Sequence, residues 1–315
     1  MAFSGAGVGT LVSPYEITTL TQLNEIRDDL SAYYRLMNNI DATDTTNWNL
    51  GAGWIPAGTF AGTLDGNYNK IIGLYINSTS ALSGLFVNLG VCTIKNLGME
   101  DVNINGTSHV GAFAGRTSGI CLVENTYVTG QISSTSSNIG GFVGQPMGFA
   151  SLFKNCYVKA VINNATSYAG GFSGWSGSNK LENCYACTTF LNPALANVGG
   201  LVGSSGGSIV RSYWDTDISE KINSGGSGGT GLTTLEMKDS LSYVDWDFDV
   251  IWGINPTINE GYPYLKIFTV EPPPSVDVSL TTPLLSANAS IDNPFMLITP
   301  NVTIQANEGF IRVVW

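Results

Sequence analysis

The sequence is short of charge. Asp, Glu, Lys and Arg make up 12% of its 315 residues, about half the ~25% usual in soluble domains. The basic share is smaller still, with 13 Lys+Arg against 24 Asp+Glu and a formal net charge of -11. Nucleic-acid binding neutralises phosphates with clustered cations, and no Lys/Arg run occurs, so no nucleic-acid partner is expected. Anionic membrane surfaces are disfavoured for the same reason. No apolar run reaches the ~18 residues of a membrane-spanning helix, so no membrane insertion is expected. Histidine is almost absent. His109, the single copy, cannot supply a His-based metal site, and a Ser/His/Asp triad would rest on it alone. Two residues before Gly111, it reads as a turn residue at the surface. The opening MAFSGAGVGT has neither a charged n-region nor an apolar h-region, so it does not read as a secretory signal. Either such a signal was removed and Met1 restored, or the chain leaves the cell another way, as by virion assembly and lysis. Cysteine is sparse too: five in a long chain do not make a disulfide framework.

Glycine is abundant, at 38 residues, and its placement is periodic. GLFVNLG begins at Gly84, GAFAGRT at Gly111, GGFVGQP at Gly140, GGFSGWS at Gly170 and GGLVGSS at Gly199. The central apolar residues are Phe86, Phe113, Phe142, Phe172 and Leu201, at steps of 27, 29, 30 and 29. A second motif keeps pace: IKNLGM, VENTYV, FKNCYV, LENCYA and IVRSYW, centred on Asn96, Asn125, Asn155, Asn183 and Arg211. The units are short, rich in Val, Ile, Phe and Tyr, and bounded by Gly, Asn and Ser, which makes them strands. A repeat near 29 residues without a helix fits one coil of a parallel β-helix, whose rungs stack at ~4.8 Å. A β-propeller blade would need a longer repeat of four antiparallel strands. The fold expected is therefore all-β: a right-handed parallel β-helix with an N-terminal capping helix and a small C-terminal β appendage.

Columns read down the stack sharpen this. Two before each Asn stand Ile94, Val123, Phe153, Leu181 and Ile209, an inward apolar column. One before it stand Lys95, Glu124, Lys154 and Glu182, alternating in sign and expected outside, where unlike neighbours attract. After the Asn the phase shifts, which predicts a bend there, because Asn tolerates the left-handed conformation. Leu97, Thr126, Cys156, Cys184 and Ser212 then face in, as do Met99, Val128, Val158, Ala186 and Trp214. Tyr127, Tyr157, Tyr185 and Tyr213 form an outward stack. That stack is the candidate contact stripe for glycan or a neighbouring protein, unless loops or the tail of the same chain cover it. Cys92 and Cys121 occupy equivalent positions, as do Cys156 and Cys184. They read as stacked free thiols, with disulfide rungs as the alternative.

The domains expected are an N-terminal segment with a capping helix (1–54), the repeats (55–218), a C-terminal cap (219–271) and a Pro-linked β tail for docking or assembly (272–315). Thr19-x-x-Gln22 reads as a capping box, and Leu20, Leu23, Ile26, Leu30 and Tyr33 mark one helical face. Thr233-x-x-Glu236 is a second box, opening a short helix with Leu235, Met237 and Leu241. GGSGG at 225–229 reads as a flexible linker. Pro272–Pro274 is a stiff break, and the segment after it is too short to fold alone. Phe295, Phe310, Ile311, Val313 and Trp315 mark it as the assembly element.

The repeats, with SPYEITTLTQLNEIRDDLSAYYRLMNNID, FAGTLDGNYNKIIGLYI and MKDSLSYVDWDFDVIWGINPTINEGYPYL, resemble GLUG-motif proteins over roughly residues 8–267. Such proteins occur among bacterial surface and secreted proteins and in phage genomes. The resemblance implies a β-helix and a role as adhesin, passenger domain or structural module, with no catalytic residues to carry over.

No catalytic, cofactor or metal site is expected. Cys184-x-x-Cys187 lacks two further zinc ligands. Asp245, Asp247 and Asp249 read as solvated carboxylates between buried Trp246 and Phe248. Glycan-cleaving β-helices need paired carboxylates, and Asp215 with Asp217 is the one close pair by the last rung. The role expected is a phage virion structural protein, capsid-decorating or tail-associated, contacting host-surface glycan. Its partners would be capsid or tail proteins in a homo-oligomer or larger assembly. The alternatives are a secreted bacterial adhesin or extracellular filament subunit, and a glycan-degrading β-helix enzyme.

Overall fold

The computed structural model describes residues 3–147, 151–164, 168–175, 177, 179–204 and 207–269. The expected assembly tail, with Phe295, Phe310, Ile311, Val313 and Trp315, lies outside the described residues.

Each repeat makes one coil of a parallel β-solenoid. The strand before the Asn recurs as Thr63–Asp65, Cys92–Lys95, Cys121–Glu124, Leu152–Lys154, Lys180–Glu182 and the first half of Ser208–Asp215. These pair in parallel, with Leu64, Ile94, Val123, Phe153, Leu181 and Ile209 in register. All six are buried. The strand after the Asn recurs as Gly98–Gly106, Tyr127–Ser134, Tyr157–Asn164 and Tyr185–Phe190, again parallel and in register save for a shift between Met99 and Val102. Two shorter ladders close the coil. One runs through Leu82–Ser83, His109–Val110, Ile139–Gly140, Ala169–Gly170 and Val198–Gly199, the other through Ala57–Phe60, Phe86–Leu89, Ala114–Thr117 and Val143–Pro146.

The bend at the Asn has the expected cause. Asn96, Asn125, Asn155 and Asn183 stand at φ 51°, 50°, 51° and 52°. That left-handed conformation flips the in–out alternation, so an inward column can stand on both sides of it. The side-chain amides also bond to one another. Asn96 donates to Asp65 Oδ1 at 3.2 Å, Asn125 to Asn96 at 3.3 Å, Asn155 to Asn125 at 3.2 Å and Asn183 to Asn155 at 3.3 Å. Arg211 Nε then donates to Asn183 Oδ1 at 2.9 Å. The chain of amide dipoles thus ends on a carboxylate where a donor emerges and on a guanidinium where an acceptor emerges.

The phenylalanine column is interior but broken. Phe113, Phe142 and Phe172 stack at 5.2 and 5.1 Å, whereas Phe86 lies opposite Ala114 and stacks on Phe60 at 4.4 Å. The short 27-residue step between Phe86 and Phe113 shifts the register there.

The parallel ladder outruns the repeat motif at both ends. It begins with Tyr15–Ile17, which pairs with Tyr33–Leu36 and through it with Thr63–Asp65. It ends with Ser227–Leu232 against Ser208–Asp215. GGSGG is therefore the start of a last rung, not a flexible linker. Gly225 (φ +81°) is needed there, because a Cβ would lie 1.5 Å from the Val202 carbonyl oxygen.

Thr19 and Gln22 form the capping box, but the helix covers only Leu20–Glu25, followed by a turn at Ile26–Asp28. Asp29 stops it: its carboxylate accepts from the Ser31 amide and hydroxyl at 3.1 and 2.7 Å, a local bond that competes with helical pairing. Leu23 and Ile26 plug the first rung, while Tyr33 belongs to a strand. Thr233 and Glu236 likewise bond reciprocally, opening a single 3-10 turn at Glu236–Lys238 in which Met237 is buried, while Leu235 before it and Leu241 after it are exposed.

Candidate functional site: the outer faces of the coil

Two outer faces carry the side chains singled out by sequence. On the first, Tyr127, Tyr157 and Tyr185 stack face to face at 4.8 and 5.1 Å with interplanar angles of 2° and 6°, and Tyr213 continues the column in register. The stack points away from the coil's interior, as expected. It is not an accessible stripe: the four rings are only 3%, 5%, 0% and 4% exposed. Of the two readings the sequence left open, a free contact surface or a stack covered by the same chain, the second holds. The segment that follows the last rung folds back over it.

That cover is aromatic. Trp252 lies 6.3 Å from Tyr157 and 6.1 Å from Tyr185, Tyr262 stacks on Tyr185 at 6.4 Å, and Phe268 meets Tyr127 edge-on at 4.9 Å. Two of the phenol groups find partners in the cover, and that of Tyr127 finds one on the coil itself. Tyr185 donates to the Pro263 carbonyl at 2.7 Å, and Tyr213 accepts from the Val244 amide at 2.9 Å. Tyr127 donates to Glu100. Burial pushes all four phenols above their ordinary range, so they stay neutral across the physiological range. The sequence did carry a signal for the cover: Tyr243, Trp246, Phe248, Trp252 and Tyr262 crowd one stretch after the repeats end.

Asp215 and Asp217 are consumed by this cover. Asp215 is fully buried; it caps Thr216–Ser219 through the Ile218 amide at 2.9 Å. It also accepts from Thr234 Oγ1 at 2.8 Å and from the Tyr262 hydroxyl at 2.7 Å. Asp217 accepts from the Thr234 amide at 2.9 Å. Neither arrangement offers a paired acid and base to a substrate. Asp247 similarly closes a turn with the amides of Asp249 and Val250.

The second face is open and charged. Lys95, Glu124, Lys154 and Glu182 are half-exposed on it, but the ion pairs converge on two carboxylates. Asp65 meets Arg35 at 3.9 Å and Lys95 at 3.6 Å. Glu182 meets Lys180 at 2.5 Å, Arg211 at 3.3 Å and Lys154 at 3.9 Å. The Lys180 hydrogen bond, with the other two cations, holds the Glu182 carboxyl below the usual range.

Beside this face Cys92 and Cys121 form a disulfide between adjacent rungs, with Cα atoms 4.8 Å apart. This corrects the reading of these two as free thiols, since rung spacing falls within disulfide reach. Cys156, Cys184 and Cys187 are free and buried, and burial pushes the Cys187 thiol up to about 11. His109 is half-buried and faces Asn138 Nδ2 at 3.0 Å. Among the described residues no group of three or more His, Cys, Asp or Glu could hold a metal ion.

The family model that matches is the M26 IgA1-specific metallo-endopeptidase N-terminal region, over residues 17–130. Among curated proteins, halomucin of Haloquadratum walsbyi is 32% identical over 97% of this chain and 4% of its own length. An immunoglobulin A1 protease of Streptococcus sanguinis is 28% identical over 38% of this chain and 6% of its own length. The chain thus spans only a small part of either relative. A solved structure from Bacteroides ovatus, also named for immunoglobulin A1 protease, matches with TM-score 0.61 at 20% identity, over 83% of this chain and 94% of that one. That likeness establishes the fold.

Proposed function

We propose that the chain is a non-catalytic β-helix segment of a secreted or cell-surface protein, serving as a rigid spacer or adhesive module. The observation that carries this reading is the Cys92–Cys121 disulfide between rungs. Such bonds persist outside the reducing cytosol. The relatives weigh the same way. Halomucin and immunoglobulin A1 protease favour the secreted or surface alternative over the virion reading, which none of these names supports. The matched family model concerns an N-terminal region of a metallo-endopeptidase, which fits a flank of a protease better than its catalytic part. The acids that sequence offered for glycan cleavage, Asp215 and Asp217, are engaged as caps and cover contacts.

The test is direct. Purified protein is incubated with bacterial polysaccharides and with immunoglobulin A1, and reducing ends and proteolytic fragments are measured. The expected result is neither. Turnover above a buffer control, abolished by Asp215→Asn without loss of folding, would overturn the non-catalytic reading.

A further inference from the structure

A groove at the N-terminal end of the solenoid has the make-up of a sugar subsite. It is an open groove of about 540 Å³, lined by Thr21, Asn24, Arg27, Trp48, Asn49 and Ile55. Four of the six carry polar side chains able to donate or accept hydrogen bonds, and one is a large aromatic. Trp48 is fixed in place. Its ring stacks on buried Trp54 at 6.1 Å and 20°, and its indole nitrogen donates to Asp44 Oδ2 at 3.1 Å. One ring face is thereby occupied while the side chain still borders the groove, half-exposed.

Arg27 is equally immobilised. Its Nε donates to the Asn24 side chain at 2.9 Å and to the Asn24 carbonyl at 3.0 Å, and Nη2 donates to the Ile55 carbonyl at 3.0 Å. The guanidinium also lies 5.1 Å from the centre of the Trp54 ring. A guanidinium held this way presents remaining donors without paying further ordering entropy. Beside the groove, Asn49 and Leu50 both adopt left-handed backbone, at φ 52° and 58°. For leucine that conformation is strained, and the Leu50 side chain is fully exposed, so the coil's own packing does not require it.

We propose that this groove binds a neutral pyranose of a glycan, with the sugar's C–H face on Trp48 and its hydroxyls bonded by Arg27, Asn24, Asn49 and Thr21. A flat aromatic and adaptable amide and hydroxyl groups match the alternation of apolar C–H and polar O–H on a sugar ring. Neutral sugar is favoured over an acidic one because two carboxylates adjoin the lining residues: Asp28 follows Arg27 in the chain, and Asp44 accepts from the Trp48 indole. The site is independent of the spacer reading, since a catalytic chain could carry it equally.

The test uses the full chain against an array of neutral and acidic oligosaccharides, followed by calorimetric titration of the best neutral one. Trp48→Ala should weaken binding at least tenfold and Trp48→Phe should restore part of it. Because Trp48→Ala also loosens the Trp54 packing, Thr21→Glu provides a second variant. It places a long side chain at the rim from an exposed helical position, and it should weaken binding with the melting temperature unchanged. No neutral glycan bound by the wild type, a preference for acidic glycans, or undiminished binding by Thr21→Glu and Trp48→Ala would each overturn the proposal.

Discussion

At the residue scale, the asparagines have two separable tasks. Asn155 holds a left-handed backbone angle and links the amides above and below it. Asn155→Ala loses both, at roughly 1–3 kcal/mol for the strained angle and ~0.5–1.5 kcal/mol per lost bond. Asn155→Gly keeps the angle and loses only the bonds. Urea unfolding should therefore rank wild type above the glycine variant and that above the alanine variant. Equal losses would mean the angle is not what Asn supplies. His109 gives a pH prediction. Burial, with Arg116 nearby, lowers its pKa, so folding favours the neutral ring. The unfolded chain, titrating near ~6.5, takes up the proton first. The stability contributed by the neutral ring is full above that value and is lost as pH falls through the lower folded value. Replacing His109 by Gln should flatten the unfolding midpoint between pH 7 and 5. These roles were legible in sequence as far as they repeat: the Asn recurs, and its bend follows from the phase shift. The amide ladder was not legible, because the direction of a side-chain amide is set only once the rungs are stacked.

At the element scale, the cover is as much a part of the structure as the rungs. Trp252 is fully buried between Tyr157, Tyr185 and Trp246. Its truncation to Ala removes a large buried side chain, so about 3–5 kcal/mol of stability should be lost. Tryptophan fluorescence during urea unfolding measures this. The inter-rung disulfide spans 29 residues and is worth ~2–4 kcal/mol by restricting the unfolded chain. Thiol titration of the unreduced, denatured protein should count three of the five cysteines, rising to five after reduction. A count of five before reduction would refute the bond. Sequence could order the rungs because each column repeats. It could not choose between stacked thiols and a disulfide, since one spacing serves both. Nor could it dock the cover, because residues 233–268 repeat nothing and their aromatics gain meaning only when the outward-facing tyrosine stack demands partners. The GGSGG stretch misled for a related reason: glycine marks both flexible linkers and tight rung corners, and only the approach of Gly225 to Val202 decides between them.

At the scale of the whole molecule, the outer faces named by sequence are, among the described residues, engaged in holding the coil together or in balancing its charge. The tyrosine column is covered, the carboxylates of Asp65 and Glu182 gather the nearby cations, and Asp215 is locked beneath Tyr262. A coil of this kind transmits length and stiffness, which is what the proposed spacer role requires. The measurement that tests this most directly is the location of the chain in its native setting. An antibody against residues 15–232 is applied to unbroken cells, to the culture medium and to sedimented particles of the producing organism. The account predicts antigen on the outside of intact cells or in the medium, with Cys92 and Cys121 oxidised in that fraction. Antigen confined to the cytoplasm, or travelling with virions, would contradict it.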